Sequence, residues 1–250
     1  MAESLAALIR ASRACVVLTG AGVSTASGIP DFRGDHGLWS REDAARVATI
    51  EGFRNDPRGF YAFWSRFFGG LAAARPNDAH RAIARLEDRG LVHTLITQNV
   101  DGLHSLAGSR DPLEVHGSFR RARCLQCGAR YETARFLEEL RPGEIPTCTI
   151  CSGLVKPDVV LFGEPLDESF ARAESAVGSC DLLVAIGTSL AVAPVADLVP
   201  RALDRGAKVA IVNRDPTPFD DEATLVLGGD LVEHARSLAR ELALPLVPLR

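Results

Sequence analysis

The stretch that decides the fold is Ala14-Cys-Val-Val-Leu-Thr-Gly-Ala-Gly-Val-Ser-Thr-Ala-Ser-Gly-Ile-Pro-Asp-Phe-Arg33. It begins with an unbroken apolar run over residues 16–18, which is typical of a central parallel strand buried on both faces. The run ends at Gly20-Ala21-Gly22, where two missing Cβ atoms would let the backbone approach a diphosphate. We therefore predict a strand, a phosphate-binding turn and a helix near Ser24, a residue that can cap a helix N-terminus. A tight turn without a ligand is the alternative.

The turn departs from the usual dinucleotide-binding fingerprint at two points. Thr25 occupies the third glycine position, and no acidic residue closes a second strand about 20 residues later. Both departures argue against a standard dehydrogenase. The turn is followed by the Asp31 carboxylate, the Phe32 ring and the Arg33 guanidinium, which we expect to form a lid over the reactive end of a cofactor.

The composition limits the class of protein. A chain of 250 residues can bury a sizeable core, as one large domain or as a large and a small one. The formal net charge of -4 and the pI near 5.9 argue against direct nucleic-acid binding. The sequence has no run of roughly 18 apolar residues, and its first residues lack the basic start of a signal peptide. We therefore expect a cytoplasmic protein with no membrane partner.

Four of the six cysteines form two pairs, Cys124-x2-Cys127 and Cys148-x2-Cys151, with 20 residues between them. This spacing predicts a tetrahedral Zn(2+) site made of four thiolates. Such a site leaves no open position for water or substrate, so we expect the zinc to be structural. Cys15 and Cys180 stand alone at the starts of apolar strands, and we expect them to be core residues.

Strands and helices alternate along the rest of the chain. An amphipathic helix is expected over 3–12, short aromatic-rich helices within 35–75, a helix from Asp78 to Gly90, and a final helix after Asp230. Further strands are expected over 91–97, 113–115, 181–186, 208–212 and 223–227. This order predicts an α/β fold with a doubly wound parallel sheet.

Polar residues follow several of these strands, where open α/β sheets bind ligands. Gln98-Asn99-Val100-Asp101 follows the second strand, and a surface turn is the alternative for it. His116-Gly117 follows the third strand, where an imidazole of pKa near 6.5 can act as a general base. We expect Gly117 to keep the space beside His116 open, although a lone histidine is more often structural. Gly187-Thr188-Ser189 predicts a second phosphate- or ribose-binding turn.

Together these motifs resemble the sirtuins. The resemblance rests on residues 20–34, 97–104, 116–117, 162–164, 187–192 and 212–214 and on the two cysteine pairs, and it runs from about residue 4 to 240. It implies a Rossmann-type NAD-binding domain of residues 1–34, 77–117 and 156–250. It also implies a helical insert of residues 35–76 and a small zinc-ribbon domain of residues 118–155.

The resemblance further implies an NAD-dependent protein-lysine deacylase that releases nicotinamide and transfers the acyl group to ADP-ribose. Its partners would be NAD and acyl-lysine proteins. His116 would be the catalytic base, and Asn99 and Asp101 would act at the nicotinamide. The residues implied to bind NAD are Gly20, Ala21, Gly22, Ser24, Asp31, Phe32, Arg33, Gln98, Asn99, Val100, Asp101, Gly187, Thr188, Ser189, Asn213, Arg214 and Leu231. Those implied to bind the acylated peptide are Val159, Val160, Leu161, Phe162, Gly163, Glu164, Leu190 and Val192.

The acyl preference is predicted from two positions. Sirtuins that prefer succinyl or malonyl groups resemble one another in a Tyr-x-x-Arg pair, whose positions here hold Trp64 and Phe67. Arg66 is one residue out of register, so we expect neutral acyl groups, with acetyl first. A mono-ADP-ribosyltransferase and a non-catalytic NAD sensor are the alternatives to a deacylase.

Overall fold

The computed structural model describes residues 4–31, 47–133 and 144–247, except for the side chains at 66–69 and 72. In these residues the helices are α1 (Leu5–Ala11), α2 (Ile50–Asn55), α3 (Pro57–Ala73), α4 (Asp78–Asp88), α5 (Leu103–Ala107), α6 (Glu168–Ser179), α7 (Leu198–Asp204) and α8 (Leu231–Glu241). Short 3₁₀ helices cover Ala21–Ser27, Val195–Asp197 and Asp220–Glu222. The strands are β1 (Cys15–Thr19), β2 (Thr94–Thr97), β3 (Leu113–Glu114), β4 (Gly117–Cys124), β5 (Arg130–Glu132), β6 (Val155–Val159), β7 (Leu182–Ile186), β8 (Lys208–Val212) and β9 (Leu225–Leu227).

The large sheet contains six parallel strands in the order β3-β2-β1-β7-β8-β9. At its centre Val17 of β1 lies between Leu95 of β2 and Val184 of β7. The predicted doubly wound, Rossmann-type α/β sheet is thereby confirmed. The strand order reverses between β1 and β7, and ligands of such sheets bind in the crevice at this reversal.

Side chains of β1 alternate between two apolar cores on opposite faces of the sheet. Val17 packs with α1, α4 and α8 in one core, and Val16 and Leu18 pack with α6 and α7 in the other. Cys15 and Cys180 belong to these cores, as predicted. Burial raises the pKa of the Cys15 thiol to about 12. Helices therefore cover both faces and leave the strand ends as the place for chemistry.

The glycines of the first turn allow two loops to touch. A Cβ on Gly20 would lie 2.7 Å from Thr188 Cβ, and one on Gly22 would lie 2.9 Å from Gly187 Cα. Gly187 itself has φ +62°, and a Cβ there would lie 2.6 Å from the Val23 nitrogen. The space on that side is filled by protein, so these glycines are needed for close contact between the loops after β1 and β7. The approach of this turn to a diphosphate stays a prediction.

The helix predicted near Ser24 is the 3₁₀ helix Ala21–Ser27, and it starts earlier than expected. Its N-cap is Gly20, with no side-chain cap. The expectation that Ser24 caps a helix is wrong, because Ser24 is buried and its hydroxyl donates instead to Asp101.

A second sheet is antiparallel, in the order β5-β4-β6, and carries the four-cysteine cluster. β4 begins directly after His116 and ends at Cys124. Gly117 has φ +76°, and a Cβ there would lie 2.0 Å from the Asp158 carbonyl oxygen. The expectation that Gly117 leaves open space beside His116 is therefore wrong, because the glycine is needed where β4 and β6 touch. The predicted boundary between residues 155 and 156 falls inside β6.

The aromatic residues of the predicted insert form a third apolar cluster. Phe53 and Phe60 meet edge to face at 4.8 Å between ring centroids, and Trp64 packs on Phe119 at 4.9 Å. Of the two helices described in the insert, α2 is short as predicted, whereas α3 has 17 residues. Its start is stabilised by Asp56, whose Oδ1 accepts from the Gly59 N–H at 2.8 Å. Residues 35–46 of the insert, and 134–140 between the cysteine pairs, lie outside the described residues.

The loop contact can be tested with three alanine substitutions. Gly187→Ala combines a positive φ with a backbone clash, so we expect it to lower the free energy of unfolding by about 2–5 kcal/mol. Gly206→Ala has φ +77° but nothing within 4 Å of a Cβ, so only the strain of about 1–2 kcal/mol should appear. Gly178→Ala, in α6 and also without a neighbour, should stabilise by about 0.5–1 kcal/mol. Equal losses for Gly187→Ala and Gly206→Ala in urea unfolding would contradict the packing argument.

Candidate active site

A cleft of about 960 Å³ lies at the reversal of strand order and extends to β6 and the loop after it. Most of the predicted site residues line it. They are Gly20, Ala21, Gly22, Asp31, Gln98, Asn99, Val100, His116, Val159, Val160, Leu161, Phe162, Gly163, Glu164, Gly187, Thr188, Ser189, Val192, Asn213, Arg214 and Leu231. The fold thus brings strand ends from the large sheet and one strand of the small sheet to a single cavity.

Three of the predicted site residues lie behind the wall of the cleft. Ser24 and Asp101 are only 1% and 7% exposed, and Leu190 is buried in the core beside α6 and α7. Phe32 and Arg33, the predicted lid, are outside the described residues.

His116 follows β3, and the backbone after β2 holds its ring. Its Nδ1 lies 3.2 Å from the Gln98 carbonyl oxygen. Because a carbonyl oxygen can only accept, Nδ1 carries the proton, and the neutral ring has its lone pair on Nε2. Burial lowers the pKa of His116 below its usual value, and the hydrogen bond to Gln98 opposes this shift. The ring is therefore an uncharged base at neutral pH.

Ser24 is the centre of a buried polar network. Its hydroxyl donates to Asp101 Oδ2 at 2.7 Å and accepts from Asn99 Nδ2 at 3.2 Å. His80 Nε2 lies 3.3 Å from the same oxygen. His80 Nδ1 accepts from the Asn77 N–H at 3.3 Å, so its proton is on Nε2 and Ser24 is the acceptor. The network fixes the amide of Asn99, which lines the cleft, from behind.

His80 stays uncharged in this network, because burial lowers its pKa to about 4. Its ring packs against that of His104 at 4.9 Å between centroids. His104 is also buried, and its Nε2 lies 3.0 Å from Thr19 Oγ1. Burial lowers the pKa of His104 well below its usual value. His104 does not line the cleft, so it packs behind the cleft wall with His80.

One hydrogen bond links the loops on the two sides of the cleft. Gln98 Nε2 donates to Thr188 Oγ1 at 2.9 Å. Further along the cleft, Asn213 Nδ2 donates to the Asp215 carbonyl at 2.7 Å. Its Oδ1 accepts from none of the described residues, so it can accept from a ligand. Arg214 Nη2 lies 4.0 Å from Asp31 Oδ2, which joins the loop after β8 to the end of the first described segment.

Some residues of the cleft were not singled out from the sequence. Examples are Thr25, Phe119, Pro194, Asp215 and Asp230. The sequence does contain a signal for Asp230, because an aspartate before an amphipathic stretch indicates a helix start. Asp230 is indeed the N-cap of α8 and accepts from the Val232 N–H at 2.7 Å. Phe119 and Pro194 had no such signal, because an apolar residue in a strand or turn does not indicate whether it faces a core or a cleft.

The four predicted metal ligands meet at one end of the small sheet. One ligand atom from each of Cys124, Cys127, Cys148 and Cys151 lies within 4.8 Å of the others. Two of the Sγ–Sγ distances, Cys124 to Cys151 and Cys127 to Cys148, are 3.5 Å. Tetrahedral zinc with Zn–S bonds of about 2.3 Å requires sulfur separations of about 3.8 Å. The thiols therefore fit a zinc ion.

Backbone amides support both cysteine pairs. The Gln126 N–H points at Cys124 Sγ from 3.4 Å, and the Ile150 N–H points at Cys148 Sγ from 3.4 Å. Such bonds stabilise thiolates and hold the ligands in place before the metal arrives.

The fold and the cleft define a dinucleotide-binding protein of the Rossmann class with a small four-cysteine domain. The model of the Sir2 family matches residues 20–194. The NAD-dependent protein deacetylase of Saccharolobus solfataricus is 43% identical over 226 residues, which are 90% of this chain and 90% of that protein. NAD-dependent protein deacylase 2 of Archaeoglobus fulgidus is 47% identical over 217 residues, 86% of this chain and 85% of that protein. The chain belongs to the Sir2 family.

Solved structures agree with this membership. A complex of Sir2 with a p53 peptide and NAD+ has a TM-score of 0.89 and 38% identity, and covers 95% of this chain and 97% of that one. Sir2Tm bound to a propionylated peptide has a TM-score of 0.88 and 37% identity over the same shares of the two chains. The sirtuin resemblance seen in the sequence is thereby confirmed. Among the described helices, none combines the length and apolar character needed to span a bilayer.

The zinc site predicts one tightly bound zinc per chain. Because so small a sheet has little apolar core of its own, its fold should depend on the metal. We expect Cys148→Ala or prolonged chelation to remove the zinc and lower the melting temperature, whereas Cys180→Ala should leave the zinc content unchanged. Freshly purified, active protein without zinc by atomic absorption would contradict this.

Proposed function

We propose that this chain removes acyl groups, acetyl in preference, from protein lysines in an NAD-dependent reaction that releases nicotinamide and transfers the acyl group to ADP-ribose. The observation that carries the proposal is the neutral imidazole of His116 at the cleft wall, with its orientation fixed by the Gln98 carbonyl. Relatives at 43% and 47% identity are an NAD-dependent protein deacetylase and an NAD-dependent protein deacylase.

NAD fits the donors and acceptors of the cleft. Gly20, Ala21 and Gly22 would hold the pyrophosphate, since this turn lines the cleft without side-chain bulk. The adenosine half would lie against Gly187, Thr188, Ser189, Asn213, Arg214 and Leu231. Asn213 explains the missing acidic residue of the fingerprint, because its amide oxygen can accept from a ribose hydroxyl.

The nicotinamide end would lie at Asn99 and Val100. The Asn99 amide is oriented by the Ser24 hydroxyl, which is in turn held by Asp101 and His80. Asp101 Oδ1 also accepts from the Leu103 N–H at 2.8 Å. A carboxylate has about four lone-pair positions, and Ser24 and Leu103 use two of those of Asp101. A contact between Asp101 and the nicotinamide carboxamide stays a prediction, because Asp101 lies behind the cleft wall.

NAD, when bound, supplies the ribose carbon that accepts the acyl oxygen as nicotinamide departs. His116 Nε2 would then take a proton from a ribose hydroxyl, whose oxygen would bond to the acyl carbon. The bond from that carbon to the lysine nitrogen would break, so the lysine leaves as a free amine, and one water would complete the balance to the ester on ADP-ribose. Phe32 would cover the ribose face and exclude water. The zinc has no part in this chemistry, because four thiolates complete its coordination.

The acylated peptide would bind between residues 159–164 on one side and residues 190–192 on the other, where Val192 lines the cleft and Leu190 supports it from behind. An extended peptide can pair its backbone with such segments as an added strand.

We also propose the domain division given by the sequence. The same proposal includes a cytoplasmic location, with no nucleic-acid or membrane partner. Cysteines used as metal ligands rather than as disulfides are typical of a reducing compartment.

The role of His116 can be tested directly. We expect His116→Ala to lower kcat for deacylation by roughly 10²–10⁴-fold while NAD still binds, because the residues around the pyrophosphate and ribose are unchanged. The exposed His93 supplies the matched control, so His93→Ala should keep normal turnover. Near-normal turnover of folded His116→Ala would refute the assignment.

The pH dependence follows from the lowered pKa of His116. The base must be unprotonated, and a lowered pKa keeps it so at more acidic pH. We expect the acid limb of kcat/KM, which reports groups of the free enzyme, to lie below the ordinary histidine pKa of about 6.5. An acid limb above that value would mean that another group limits the rate.

Nicotinamide release should depend strictly on an acyl-lysine peptide. Release without such a peptide, with ADP-ribose found on a protein acceptor, would favour the ADP-ribosyltransferase. NAD binding without any nicotinamide release would favour the sensor. Mass spectrometry of reactions with and without acyl peptide separates the three outcomes.

The acyl preference concerns the part of the cleft near Trp64. Trp64 lines the cleft and packs on Phe119. The side chains of Arg66 and Phe67 lie outside the described residues, so the prediction rests on the sequence, in which Trp64 and Phe67 replace the Tyr and Arg of the pair. Without that arginine a succinyl carboxylate would lose water and lack its paired cation, at a cost of about 1.5–3 kcal/mol. We therefore expect kcat/KM for an acetylated peptide to exceed that for the succinylated peptide by at least about tenfold. Equal or faster desuccinylation would contradict the prediction.

A further inference from the structure

Lys156 is a buried lysine in a chain that hardly uses lysine. Of 28 basic residues only Lys156 and Lys208 are lysines. Lys208 is exposed at the start of β8, whereas the Lys156 side chain in β6 is 0% exposed. A charged group without water must find partners within the protein, and those of Lys156 lie on the wall of the proposed peptide site.

The Lys156 ammonium uses its three N–H donors on one short segment of chain. Nζ donates to the Val159 carbonyl at 2.6 Å, to the Pro157 carbonyl at 3.3 Å and to Glu164 Oε2 at 2.8 Å. An ammonium has three donors and no acceptor, so these bonds satisfy it completely. One side chain thus connects the end of β6 to the residue five positions beyond it.

Glu164 closes the same segment from its other end. Its Oε2 also accepts from the Leu161 N–H at 2.9 Å, and its own N–H donates to the Leu161 carbonyl at 2.9 Å. Gly163 turns the chain between them with φ +88°. The Glu164 carboxylate was predicted to serve the substrate, but its oxygen is committed within the protein.

These bonds decide which backbone groups stay available. The Val159 carbonyl and the Leu161 N–H are used by Lys156 and Glu164. The Val160 N–H donates to the His116 carbonyl at 2.9 Å. Among the described residues, the Val160 carbonyl and the Gly163 N–H have no partner, and both residues line the cleft. The Phe162 N–H and carbonyl bond to Ala48 and Ile50, so the Val160 carbonyl and the Gly163 N–H are among the backbone groups left for a peptide.

We propose that Lys156 and Glu164 form a positioning pair that shapes residues 159–164 to accept the backbone of the acyl-lysine substrate. The pair does not touch the reacting atoms. It acts by bonding to the Val159 carbonyl and the Leu161 N–H, so that the Val160 carbonyl and the Gly163 N–H remain for the peptide. The inference rests on the proposed function only in taking an acylated peptide as the occupant.

The burial of the pair also predicts how variants should combine. Removing Lys156 takes away the closer cation of Glu164 and leaves it only the half-exposed Arg123, whose Nη2 is 3.8 Å from Oε1. Removing Glu164 alone leaves the fully buried Lys156 charge without its carboxylate, whereas removing both takes the buried charges away together. Lys156→Met alone should therefore weaken peptide binding more than the double variant that combines Lys156→Met with Glu164→Gln. Lys156→Arg keeps the charge and should recover part of the loss.

The test measures peptide binding separately from catalysis. Fluorescence anisotropy with a labelled acetyl-lysine peptide, on zinc-loaded full-length protein, reports binding even if no turnover is found. We expect Lys156→Met to weaken peptide binding by about tenfold to a hundredfold, because a small displacement of a positioning group has effects of that size. The KM for NAD should stay within about twofold, and kcat at saturating peptide should change much less than the peptide KM. Lys208→Met is the matched control and should bind like the wild type.

Unchanged peptide affinity in folded Lys156→Met would overturn the proposal. So would parallel losses in NAD and peptide binding, which would indicate general damage to the cleft. If Lys156→Met does not fold, Glu164→Gln is the deciding variant, because it keeps the lysine and its two carbonyl bonds. It should weaken peptide binding at unchanged NAD KM, and wild-type affinity would overturn the proposal equally. A wild type that binds the peptide but releases no nicotinamide would refute the function and leave this inference standing.

Discussion

The structure depends on the contact between two glycine turns at the point where the strand order reverses. The Gly22 N–H donates to the Gly187 carbonyl at 2.9 Å, and the Gly20 N–H donates to the Ile186 carbonyl at 3.1 Å. With β1 and β7 in register along their length, these bonds bring the two loops together without side chains between them. The cleft opens directly beside this contact, so residues from both halves of the sheet can reach one ligand.

The small sheet is joined to that cleft by backbone hydrogen bonds. The Phe119 N–H donates to the Val100 carbonyl at 2.9 Å, and the Val160 N–H donates to the His116 carbonyl at 2.9 Å. The strand that ends at Cys124 is thus the one that starts beside His116. A structural metal at one end of β4 can therefore influence the active site mechanically, although it takes no part in the chemistry.

Burial keeps the polar residues behind the cleft uncharged and oriented. His80 and His104 have strongly lowered pKa values because they are removed from water. A neutral ring offers one donor and one acceptor nitrogen. His80 donates to Ser24, and Ser24 in turn accepts from the Asn99 amide and so orients it. At the proposed peptide site, Lys156 and Glu164 are instead charged, and they orient the neighbouring chain as an ion pair with 2.8 Å between Nζ and Oε2. In both places a buried residue, Ser24 or Lys156, orients the groups that face the ligand.

The sequence alone determined the strands of the large parallel sheet, the strand-end motifs and the cysteine pairs, because apolar runs, glycine turns and Cys-x2-Cys spacing are local signals. The family followed from these motifs in their order. The sequence did not predict β4, which joins His116 to the first cysteine pair. Tertiary structure alone decided which polar residues face the ligand and which support it. Ser24 bonds to Asp101, 77 residues away, and Gly117 is needed because Asp158 touches it from another strand. No local pattern reports such pairings, because the partners meet only when distant strands assemble into one sheet and bury the groups between them.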